Sequence, residues 1–134
     1  MAALTDEQMR FLAENPFVGV VTTLREDGSP HSTVVWLEAG EDTGLSFNTA
    51  RGRAKERHLL RDQRVSLAVV DPQNSYRWVS VSGTAELVEE GADDQIDRLA
   101  KKYLGKDTYP WRSESEQRVS VRIAPEKVDS YGFE

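Results

Sequence analysis

The chain has 134 residues, the size of one domain able to bury about two-thirds of its unfolded surface without disulfide or metal staples. Its hydrophobic fraction is 38%, its charged fraction 30%, its formal net charge −6, and it has no cysteine. These values exclude disulfides, thiolate catalysis and zinc fingers, and they argue against general nucleic-acid binding.

The first predicted element is a helix. Thr5 reads as its N-cap, Gln8 closes a capping box, and Leu4 and Met9 take the staple positions. Asp6 and Glu7 suit the first turn, Met9, Leu12 and Ala13 give the buried stripe, and Asn15-Pro16 stops the helix. "FVGVVTTL" (17–24) reads as a strand, Asp27-Gly28 as a hairpin turn and "HSTVVWLE" (31–38) as the return strand. "AGEDTG" (39–44) predicts another turn and "LSFN" (45–48) a third strand, before a short helix over 53–61 bounded by Gly52. "RVSLAVVD" (64–71) is nearly continuous in apolar residues and reads as a central strand. "YRWVSVSGTAELVEE" (76–90) reads as a long strand with a bulge at Gly83. Residues 91–105 form an amphipathic helix with its stripe at Ile96, Leu99, Ala100, Tyr103 and Leu104. It has acids at its start, Lys101 and Lys102 near its end, and Gly105 beyond. Residues 117–125 and 127–133 read as two closing strands. Hairpin order with few helices predicts a mainly β (α+β) fold in one unit over 1–134: an antiparallel barrel of six or seven strands with two or three short helices. No apolar run approaches the ~20 residues of a membrane-spanning helix. "MAALTDEQMR" lacks the features of a signal peptide, so no membrane association and a cytoplasmic location are expected.

One segment stands out. "NTARGRAKERHLLRD" (48–62) leads into a basic cluster, and residues 51–64 hold six of the chain's 17 Lys and Arg. Arg53 and Lys55 fall in the predicted first turn, where cations oppose the helix dipole and the free N–H groups favour an anion. With the Thr49 hydroxyl they describe a phosphate cradle. Charge alone leaves that reading open against a solvated basic face paired to nearby acids. His58 reads as a surface or boundary residue, and Leu59 and Leu60 as core contacts. His31 and His58 lack ligand spacing, so no metal site is expected. No nucleophile elbow accompanies the serines. Trp36, Tyr76, Trp78, Tyr109 and Trp111 could stack on a planar ligand, though isolated aromatics belong as readily to a core or an interface. With no catalytic group of its own in view, the chain would draw its chemistry from a borrowed cofactor.

"DGSPHSTVVW", "LSFNTARGRAKERHLLRDQRVSLAVVDPQNSYRWVSVSGTAEL", "IDRLAKKYLG" and "VSVRIAPEKVDSYG" occur in this order over nearly the whole chain. Together they resemble the split β-barrel flavin/deazaflavin oxidoreductase family, within the pyridoxamine-phosphate-oxidase-like superfamily, and most closely its F420-dependent members. The resemblance implies a homodimer with two cofactor sites at the interface. It implies that Arg53 and Lys55 bind the cofactor phosphate with Thr49. Ser32, Thr33, Val35 and Trp36 would run along the deazaflavin or flavin ring, and Asn48 would lie near the ring or ribityl chain. Tyr76 and Trp78 of the second subunit would help close the site. The sequence departs from the family at Val34, where relatives often carry proline. The implied activity is hydride transfer from reduced F420 to an unsaturated small molecule. An FMN-binding protein of the same fold, or a carrier without turnover, is the alternative.

Overall fold

A computed structural model describes residues 2–41 and 44–133. The turn predicted over 39–44 therefore lies partly outside the described residues. Three helices, α1 (Asp6–Glu14), α2 (Ala54–Arg61) and α3 (Ala92–Leu104), accompany seven strands. These are β1 (Gly19–Leu24), β2 (Pro30–Val35), β3 (Leu37–Gly40), β4 (Gly44–Ala50), β5 (Arg64–Asp71), β6 (Asn74–Val88) and β7 (Arg118–Tyr131). All seven belong to one antiparallel sheet in the order β2-β1-β5-β6-β7-β4-β3. The fold is mainly β and has the seven-stranded form of the predicted architecture.

The two edges of this sheet, β2 and β3, are consecutive in the chain and separated only by Trp36. One segment can serve both edges only if the sheet curls round on itself. The predicted strand 31–38 is thus two strands. Its first half pairs with β1 (Val34 opposite Val20) and its second with β4 (Leu37 opposite Phe47). The inner face holds the core, where Val21, Leu37, Phe47, Leu67, Val79, Val81, Val119 and Val121 are essentially inaccessible. β5 lies inside the sheet, as its apolar run suggests, but it alternates: Val65, Leu67 and Val69 face the core while Ala68 and Val70 are exposed.

The α1 capping box forms as predicted, with Gln8 N–H donating to Thr5 Oγ1 (3.1 Å) and Thr5 N–H to Gln8 Oε1 (2.9 Å). Its buried stripe is rotated from the expected one. Gln8, Phe11 and Leu12 are buried, whereas Met9 and Ala13 are only half-buried. The rotation follows Phe11, which packs on the rings of Phe17 and Phe133 at 5.3 and 5.1 Å. The two predicted closing strands are one. β7 runs through 118–131 and absorbs the irregularity opposite Gly83, where the pairing steps from Ser82–Lys127 to Gly83–Pro125 and leaves Glu126 as the extra residue. Leu60 is 64% exposed, against the expectation of a core contact, while Leu59 is buried.

Candidate functional site

"NTARGRAK" spans the end of β4, a tight turn and the start of α2. Gly52 has φ +88, in the left-handed region that side chains with a β-carbon disfavour. There its N–H donates to Glu56 Oε1 at 2.9 Å. Glu56, in the first turn of α2, is 3% exposed, and its other oxygen accepts from Arg51 Nη1 at 2.9 Å. Burial raises the Glu56 carboxyl, but the Gly52 N–H and the Arg51 guanidinium outweigh it and hold it below the usual carboxylate range. The helix therefore does start with an acid that complements its dipole. Arg53 is the N-cap residue rather than a first-turn residue, and its side chain makes no cap hydrogen bond.

A cavity of about 230 Å³ opens where α2 and β4 meet β2, α3 and the segment after α3. Of the residues singled out in the sequence, Val35, Trp36, Asn48, Thr49, Arg53 and Lys55 line it. Lys55 has neither an ion pair nor a hydrogen bond among the described residues, and burial, then the neighbouring Arg53 charge, push its pKa down. Thr49 is 1% exposed, and its Oγ1 is buried without a partner. An unpaired cation and an unsatisfied buried hydroxyl on the wall of one cavity make an environment that an anion completes. The residues present therefore fit a phosphate. Asn48 has a fixed orientation. Its Nδ2 donates to the Ala92 carbonyl (2.9 Å) and to Gln95 Oε1 (3.0 Å), so Oδ1 is left as the acceptor near Arg118 Nη1 at 3.4 Å.

Apart from Tyr109 and Trp111, which the sequence offers as aromatics able to stack on a planar ligand, the rest of the wall was not read from the sequence as part of this site. Arg118, 6% exposed, brings a guanidinium from β7, lying 4.9 Å from the Tyr109 ring centre. Its Nη2 donates to Glu116 Oε1 at 3.0 Å, while Glu116 Oε2 pairs with Arg53 Nη2 at 2.5 Å. Burial raises the Glu116 carboxyl, and the two guanidiniums more than offset that. Trp36 stacks on Tyr103 (5.4 Å, 8°) and meets the edge of Tyr109 (6.3 Å), which in turn meets Trp111 (5.7 Å). Ile96 and Leu99 close the floor from α3. Tyr109 and Trp111 carried a signal as aromatics in a polar loop; Arg118, one of two arginines in an alternating strand, carried none.

Four singled-out residues do not line this cavity in their own chain. Strand alternation puts Ser32 on the outer face, bonded to Thr22 Oγ1 at 2.8 Å, and Thr33 on the opposite one, with its Oγ1 buried and unpartnered. Tyr76 is exposed on β6 near Tyr131, and Trp78 is half-buried opposite Tyr131. His58, expected at the surface or a boundary, is buried at 9% exposure and shares a 2.8 Å hydrogen bond with Thr23 Oγ1. Among the described residues that line the cavity there is no carboxylate and no imidazole. It can hold an anionic, planar molecule; the reactive group would come with that molecule.

A family model described as pyridoxamine 5′-phosphate oxidase matches residues 4–132. An F420H2-dependent biliverdin reductase of Mycobacterium tuberculosis is 27% identical over 128 residues, covering 93% of this chain and 86% of that protein. A pyridoxine/pyridoxamine 5′-phosphate oxidase of Cupriavidus metallidurans is 29% identical over 117 residues, covering 87% of this chain and 54% of that protein. The chain thus spans about half the length of the oxidases it matches. A solved structure described as an F420 reductase superposes with a TM-score of 0.78 at 28% identity, covering 90% of this chain and 94% of that one.

Proposed function

The chain belongs to the pyridoxamine 5′-phosphate oxidase family, and on that premise we propose that it is an F420-dependent reductase acting on an unsaturated small molecule. Oxidoreductases of this fold are what its relatives have in common. The observation that carries the reading is the free Lys55 ammonium together with the orphaned Thr49 hydroxyl, in a cavity walled by Trp36. Arg53 and Lys55 hold the cofactor phosphate with Thr49. Val35 and Trp36 give the ring an apolar side that excludes water, and Asn48 Oδ1 offers an acceptor to a ring or ribityl donor. When bound, the reduced deazaflavin supplies the hydride that adds to an electron-poor double bond. The protein's part is positioning and electrostatics.

The working unit is a homodimer. The outer face of β1, β2, β5 and β6 exposes Val20, Val34, Val70 and Tyr76, with Val34 paired directly opposite Val20. A second copy seated there would bring Tyr76 and Trp78 of the partner subunit toward the cavity mouth.

Titrating F420 while following tryptophan fluorescence tests the reading, because Trp36 and Trp111 line the cavity. Saturable quenching is expected. Arg53→Ala and Lys55→Ala should each weaken binding by about 10- to 100-fold, the worth of one charge-assisted hydrogen bond of about 1.5–3 kcal/mol. Unchanged affinity in both variants rules the phosphate site out. Tighter binding of FMN than of F420 transfers the same site to FMN. Consumption of reduced F420 with unsaturated acceptors separates a reductase from a carrier.

A further inference from the structure

We propose that Glu116 is a specificity-determining residue: its carboxylate holds the place of the ligand's phosphate between Arg53 and Arg118, and a ligand binds by displacing it. The proposal rests on the cofactor reading above. Each Glu116 oxygen meets a different guanidinium, Oε2 with Arg53 (2.5 Å) and Oε1 with Arg118 (3.0 Å), which is how a phosphate would bridge the same pair. A guanidinium as buried as Arg118 is costly without an anion. Its other contacts, the Asn48 amide oxygen and the Tyr109 ring, carry no charge. Glu116 supplies that charge within the free chain.

The pairing leaves part of the wall unserved. Lys55 and the Thr49 hydroxyl line the same cavity and receive nothing from Glu116. A ligand carboxylate has two oxygens and would only repeat what Glu116 already does. The tetrahedral oxygens of a phosphate can take both guanidiniums and still reach further donors. Exchange therefore favours phosphate-bearing ligands over carboxylates and over uncharged analogues.

Space exists for the displaced side chain. A second cavity of about 160 Å³ adjoins the first, with Tyr109 and Arg118 lining both, and Glu116 and Arg112 lining the second. Arg112 lines it too but already pairs with Asp97 (2.5 Å) and Asp93 (3.4 Å), so what favours the move is that Glu116 sits on a turn (Glu116 N–H to Ser113 O, 3.1 Å) rather than inside a strand or helix.

FMN and riboflavin, which differ by the phosphate alone, report the exchange through tryptophan quenching, with inorganic phosphate as competitor. In Glu116→Gln, the affinities for FMN and inorganic phosphate should rise about tenfold, roughly 1.4 kcal/mol, while riboflavin moves less than about twofold. Glu116→Ala should move in the same direction, and a melting curve for each variant reports its folding. An FMN affinity that is unchanged or reduced in both folded variants overturns the proposal and makes Glu116 a support for the arginines. Arg53→Ala separates the two ideas. If it removes a wild-type preference for FMN over riboflavin and the Glu116 variants do not strengthen that preference, only the displacement is wrong. If wild type shows no such preference, the phosphate site itself is wrong.

Discussion

Two adjacent side chains in the last turn of α3 carry opposite responses to pH. The Lys102 ammonium donates to the carbonyls of Leu12 (2.8 Å) and Leu37 (2.9 Å), tying α1, β3 and α3 together. The Tyr103 hydroxyl donates to the Phe17 carbonyl (2.7 Å) and accepts the Leu37 N–H (3.1 Å). Burial pushes Lys102 down to about 8 and Tyr103 up to about 12. Between pH 8 and the ordinary lysine value of 10.5, the unfolded chain binds the Lys102 proton more strongly than the native one, so stability rises with pH. Above the ordinary tyrosine value of 10.0, the unfolded phenol ionises first, and the stability tied to neutral Tyr103 is lost toward pH 12. Urea midpoints across pH 7–12 should climb and then fall, with Lys102→Met flattening the climb and Tyr103→Phe the fall. A midpoint with no pH dependence over pH 8–10 in wild type contradicts the Lys102 assignment. At this scale, legibility tracked distance along the chain. Asn48, Thr49, Arg53 and Lys55 lie within eight consecutive residues, so a local motif displays them together. Glu116 reaches Arg53 across 63 positions, and His58 is buried because Thr23 of another element supplies its partner. Neither relation leaves a spacing in a single sequence.

Gly83 and Glu126 show how an element is shaped by its neighbour. A β-carbon on Gly83 would stand 1.9 Å from the Ala124 carbonyl oxygen, a backbone atom that cannot swing aside. Gly83→Ala should therefore cost about 3 kcal/mol, toward the upper end of overpacking penalties, and lower the urea midpoint. A wild-type midpoint would mean that β6 and β7 separate there without strain. The sequence marked Gly83 correctly as an irregularity but could not show that the extra residue lies on β7. Pro125 ends the first of the two predicted closing strands, 117–125 and 127–133. It is tolerated because it sits at the irregularity itself, where the pairing with β6 steps past Glu126 and the regular ladder is interrupted. Likewise, "HSTVVWLE" alternates as one strand. Only the curl of the sheet, which follows from pairings to β1 and β4, divides it at Trp36. The α1 cap was legible because a capping box is local; its buried face was not, because Phe17 and Phe133 decide it.

For the whole molecule, the open question is what covers the outer apolar face. Val20, Val34 and Val70 are exposed on paired strands, and exposed patches of this kind mark interaction surfaces. Val20→Glu and Val34→Glu should convert a wild-type dimer to monomer in sedimentation. Far-UV circular dichroism should stay native, and in Val20→Glu, which lies outside the cavity wall, F420 affinity should fall at least about tenfold if, as proposed, Tyr76 and Trp78 of the partner subunit help close the site. A monomeric wild-type protein that binds F420 normally refutes the shared site.

The β4–β7 ladder has a further consequence. Among the described residues it is the only strand pairing that joins the β3–β4 hairpin to the five other strands of the sheet. Asn48 and Thr49 stand on one side of this seam, Arg118 on the other, and Arg53 follows directly from the β4 side. A ligand gripped by both sides works as a fastener across the seam, joining parts of the chain about 70 positions apart. Occupancy of the proposed site should therefore strengthen this seam beyond its six β4–β7 residue pairs.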